Sequence, residues 1–106
     1  MTTTSQYHDP ERRHREILDA AVRLSEQIGY LKITGPLVAI EAECGYGSIN
    51  GIFESMEGLR RAVVEDAIAN KNLIILAQFM TNPNPDPNIK PLSPSLKKTV
   101  AAFLAG

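Results

Sequence analysis

Sulfhydryl chemistry is almost missing from this 106-residue sequence, which holds the single cysteine Cys44. That excludes an internal disulfide and a multi-cysteine zinc site, and it suits a reducing cytoplasm. Long apolar runs are also missing. The longest, Val100 to Ala105, is far too short to span a bilayer, and the opening MTTTSQYHDP lacks the apolar stretch of a signal peptide. A soluble cytoplasmic protein with no membrane partner is expected. No charge of either sign dominates: eleven Lys and Arg stand against twelve Asp and Glu, for a net charge of −1. Such a balance does not advertise a polyanion partner. His8 and His14 have no third ligand nearby, so no metal and no cofactor are expected. Nothing pairs a nucleophile with a base or cradles a phosphate on glycines, and Glu41 and Glu43, two apart on a helix, diverge; no enzyme is expected. The most local absence is the most informative. Residues 33–59 contain no Lys or Arg, yet they carry Glu41, Glu43, Glu54 and Glu57.

What is present is helical. An apolar fraction of 43% suits one globular domain with a modest core. After a polar, flexible segment 1–9, Asp9-Pro10 marks a helix start, and Ile17, Leu18, Ala21, Leu24 and Ile28 fall on one face until Gly29 stops it. Thr34 can cap a second helix over about 35–43, whose apolar side is Leu37, Val38 and Ala42. Gly45 and Gly47 supply the turn dihedrals, and Ile49, Ile52 and Phe53 resume helical spacing over about 47–53. Ser55 is the N-cap of a long fourth helix running to about Met80, with Leu59, Ala62, Val63 and Ala67 inward and LIILAQFM apolar nearly all round.

From Thr81 the composition changes. TNPNPDPNIKPLSP holds five of the seven prolines and should run extended as a strap over 81–94. Ser95 then opens a short last helix over 95–106, with Leu96, Val100, Phe103 and Leu104 at helical spacing. The predicted fold is all-α: a three-helix, homeodomain-like helix-turn-helix bundle extended by the long fourth helix (together 10–80), the strap and the last helix.

The order ILDAAVRLSEQIGYLKIT, LVAIEA, SINGIF and SMEGL resembles the DNA-binding domain of TetR-family regulators over about residues 12–70. Ile17, Leu18, Ala20, Ala21, Leu24, Gly29, Tyr30, Thr34, Val38, Ala39, Phe53 and Leu59 match in register without a gap. The departures lie on one surface. Pro36 stands where the family often has Arg, Glu43 where it prefers a turn Gly, and Asn50 where a Tyr binds phosphate. Ile52 replaces a frequent His, and Met56 replaces the Lys that grips the DNA backbone. The family's large ligand-binding domain has no counterpart here, so no small-molecule inducer is expected, for want of room.

Two functions follow as expectations. In the first, the chain is a compact DNA-binding transcriptional regulator. Thr34, Tyr46, Gly47, Ser48 and Asn50 meet the groove or its backbone, and Arg12, Arg13 and Arg15 on one flank with Arg60 and Arg61 on the other supply charge. A homodimer is expected because one helix in one groove rarely suffices, built on Leu73, Ile74, Ile75, Leu76, Phe79 and Met80 with Phe103 of the last helix. The alternative to that dimer is a monomer whose last helix folds back to complete the core. In the second function, the chain is a protein-protein interaction module, an antirepressor or inhibitor that has lost DNA binding. Ile49 and Ile52 beside Tyr46 and Asn50 would then form its sticky surface.

Overall fold

The computed structural model describes residues 10–106; the expected flexible segment 1–9, with Asp9 and His8, lies outside them. Six helices and no strand are found among the described residues, which makes the fold an all-α bundle. No helix among them is long and apolar enough to cross a membrane.

Helix α1 (Pro10–Ile28) turns Ile17, Leu18, Ala21 and Leu24 into the core, while Ile28 at its end stays exposed. Gly29 stops it at φ 98°, a left-handed value that glycine adopts without steric cost. Helix α2 (Gly35–Ala42) begins where expected: the Thr34 hydroxyl accepts from the Leu37 amide at 3.4 Å, satisfying one orphan donor. Its buried side is Gly35, Val38 and Ala39. Leu37, expected inside, is 41% exposed, because it sits a hundred degrees around the helix from Val38.

The connection to α3 (Tyr46–Phe53) is not made as the sequence suggests. Gly45 is the N-cap with an ordinary φ of −76°, and Gly47 lies inside the helix; the left-handed residue is Glu43, at φ 56°. A non-glycine residue there costs roughly 1–2 kcal/mol. Ile49 and Phe53 anchor α3 in the core beside Ile17, Leu24 and Val38. The next corner is tighter still. Glu54 takes φ 68°, the Ser55 amide donates to the Phe53 carbonyl at 2.7 Å, and a Cβ on Gly58 would collide with that same carbonyl oxygen.

Ser55 caps α4 (Met56–Asn70) as expected, its hydroxyl accepting from Gly58 at 3.0 Å. The single long helix to Met80 is corrected. Lys71 turns left-handed at φ 54°, and Asn72 caps a separate α5 (Leu73–Met80) through Ile75 N at 3.3 Å. The break lets α5 fold over α1 instead of running past it. Glu26 and Gln78 record the docking: Asn72 Nδ2 donates to Glu26, and Gln78 donates to the Ser25 carbonyl while accepting from Tyr30 N.

The strap is held down by apolar plugs. Ile89 and Leu92 are buried in the same core. Helix α6 (Pro94–Ala105) starts earlier than expected, with Ser93 rather than Ser95 as the cap and Pro94 in the first turn, where proline's missing N–H costs nothing. Val100 is fully buried against α5, while Phe103 and Leu104 of the same apolar spacing are about half exposed.

Candidate nucleic-acid interface

The α2–α3 pair presents one outward face, and its position follows from what points inward. Ile49 and Phe53 hold α3 to the core, which leaves Gly47, Asn50, Gly51 and Glu54 exposed and Ser48 half-buried. Tyr46 opens α3; its side chain lies outside the described part. An added Cβ at Gly45, Gly47 or Gly51 would meet nothing within 4 Å. The exposed flank of α3 is therefore low and open, and its polar projections are Asn50 and Glu54. Thr34 is exposed, with its hydroxyl oxygen occupied as the α2 cap.

Ile49 does not contribute to a sticky patch, because it is fully buried, and Ile52 is half-buried against the core. The apolar surface of the pair lies instead on α2, where Ile40 is 74% exposed beside Leu37. Met56 also packs partly against the core.

Arg12 and Arg13 both reach Glu16, at 3.2 and 3.6 Å. Arg15 bonds Asp19 at 2.7 Å and Asp66 at 2.9 Å. Those two hydrogen bonds, Asp19 first, push its pKa upward against a smaller opposing effect of burial. Arg13 and Arg23 share a shallow polar groove beside the α2–α3 turn with Glu16, Asp19, Glu41 and Glu43, two cations against four carboxylates. Arg23, which the sequence reading passed over, bonds Glu41 at 3.0 Å. The His14 ring lies 4.6 Å from Phe53 and places the start of α1 beside the end of α3.

Arg60 and Arg61 do not form the opposite flank. Arg60 donates to the Ile33 carbonyl at 3.0 Å, and Arg61 clamps Asp86 of the strap at 2.9 Å. Asp86 is held below the usual carboxylate range, chiefly by the Asn88 amide, with burial opposing and Arg61 adding to the effect. These pairs join residues 25 or more apart, so periodicity carries no signal of them.

The residues proposed for a dimer divide into two sets. Ile75, Leu76 and Phe79 are buried within the chain, where α1 and α6 cover them, and Leu73 is half-buried. Ile74, Met80 and Phe103 remain substantially exposed, at 44, 38 and 46%. No group of three His, Cys, Asp or Glu able to hold a metal ion occurs among the described residues. Compared with family models, curated proteins and solved structures, the chain finds no match.

Proposed function

We propose that the chain is a compact DNA-binding regulator of the kind its TetR-like sequence pattern implies, reading duplex DNA with α3. The observation that supports this best is the anchoring of α3 by Ile49 and Phe53, which turns Gly47, Asn50 and Gly51 outward together. A low glycine flank lets backbone approach a groove closely, and Asn50 can bond an adenine edge in two places. Thr34 keeps a hydroxyl proton for a phosphate while its oxygen caps α2. Cations must come from Arg12 and Arg13, whose exposed ion pairs with Glu16 are weak enough to exchange for phosphates. A homodimer resting on Ile74, Met80 and Phe103 would set two such helices on successive half-sites.

Fluorescence anisotropy with a random-sequence duplex at low salt tests the proposal. Binding should appear, and Asn50→Ala should reduce sequence preference more than affinity. A second reading rests on the acid excess of the turn groove and the exposure of Ile40. On that reading the α2–α3 face docks on a protein. Absence of any DNA binding at low salt would select it.

A further inference from the structure

A cavity of about 440 Å³ lies between the end of α1, the first turns of α4 and the strap. Its size falls within the range of small-molecule sites. Apolar lining comes from Leu31, Pro85 and Pro87; Tyr30, Arg60 and Arg61 line it together with two carboxylates, Glu57 and Asp86. Arg61 is already neutralised by Asp86. Arg60 is different: its hydrogen bond goes to a neutral carbonyl, that of Ile33, and its Nε is buried with no acceptor. The Tyr30 hydroxyl accepts from Asn82 at 3.0 Å, which leaves its own proton available to donate.

We propose that this cavity binds a small monocarboxylate with an apolar body. The carboxylate takes the guanidinium of Arg60 and the Tyr30 hydroxyl, and the body lies on Leu31, Pro85 and Pro87. One arginine without an ion-pair partner and one neutral phenol, with the Glu57 carboxylate in the same lining, suit a single negative charge better than a phosphate dianion. The prolines and Leu31 favour an apolar remainder over a bare ion. This site stands apart from DNA binding and does not depend on it.

The test is a titration of the full chain with sodium benzoate, followed by amide chemical shifts, with benzamide and sodium sulfate as controls. Benzoate should move the amides of Tyr30, Leu31, Asn82 and Asn88 with a dissociation constant of about 1 mM, as expected of a fragment this small. Benzamide and sulfate should each bind at least about tenfold more weakly, the loss expected when one charge-assisted contact or the apolar contact is missing. Arg60→Gln should abolish binding. Because that side chain also bonds Ile33, Leu31→Asp provides a second variant at an exposed position, which repels the carboxylate without opening the core. Overturning results are no shift at these amides, equal binding of benzamide or of sulfate, or undiminished binding by folded Leu31→Asp.

Discussion

The two ends of this bundle are held in different ways. The α2–α3 pair rests on the core through Val38, Ala39, Ile49 and Phe53, with the exposed Arg23–Glu41 pair as a side-chain tie to α1. The α4–α6 half is fastened by polar bonds between distant residues. Gln78 bonds Ser25 and Tyr30, Asn82 bonds Tyr30, Asn72 bonds Glu26, and Arg61 bonds Asp86. Each of these ties falls on a helix end or a strap turn, where backbone groups need partners. The contrast teaches where structural duty lies. Residues of the C-terminal half are committed to locking the strap and α5 onto α1, whereas the outward face of α3 does nothing for the fold. Gly47, Asn50 and Gly51 could be exchanged without loss of packing, so their identities are free to serve a partner.

Breaking the apolar anchorage of α3 should give the largest effect. Phe53→Ala removes a buried ring that also contacts His14, and a loss of about 3–5 kcal/mol is expected in urea unfolding. An equally large loss at Asn50→Ala would erase the contrast between the two faces of α3. Gly58→Ala comes next. Its Cβ meets the rigid Phe53 carbonyl rather than a movable side chain, so a cost of about 1–3 kcal/mol is expected from the forced shift at the α3–α4 corner. A neutral or stabilising result in the same unfolding assay would show that this corner relaxes.

Glu43→Gly should act in the opposite direction. It relieves a left-handed φ of 56° and should raise stability by about 1 kcal/mol, visible as a higher urea midpoint. The smallest effect concerns the strap. Asp86 has its folded pKa below the ordinary value of 3.8, so its contribution is complete above that value and is lost as pH falls through the lower folded pKa. Acid titration followed by the Asn88 amide shift should show the turn loosening below about pH 4, and Asp86→Asn should remove that part of the pH dependence.

Much of the framework is legible in the sequence because its signals are local. Thr34 and Ser55 precede apolar helical spacing and act as caps, and Gly29 ends α1 where the face pattern ends. The failures have physical causes. Glu43 and Lys71 adopt left-handed turns that nothing in their side chains announces, so by residue type the turn falls on the nearby glycines and helical spacing runs unbroken from α4 into α5. Ser93 and Ser95 are equally good caps by residue type, and Pro94 decides between them by fitting the first turn. The burial of Ile89 and Leu92 is masked by the prolines around them. At the candidate interface, residue types show that cations are missing from 33–59, but not that Arg15 is tied to Asp66, Arg60 to the Ile33 carbonyl or Arg61 to the strap. Those are facts of tertiary approach.

DNA binding by α3 with charge lent from the start of α1 is the central claim, and the salt dependence of duplex affinity tests it most directly. Each phosphate contact contributes about −0.9 to the slope of log affinity against log salt. The wild type should give a measurable slope, Arg12→Glu with Arg13→Glu should abolish binding across all sequences, and Glu43→Gln should strengthen it by removing a carboxylate beside the turn. A wild type that shows no salt-dependent binding at low ionic strength, with Glu43→Gln equally silent, would contradict the claim.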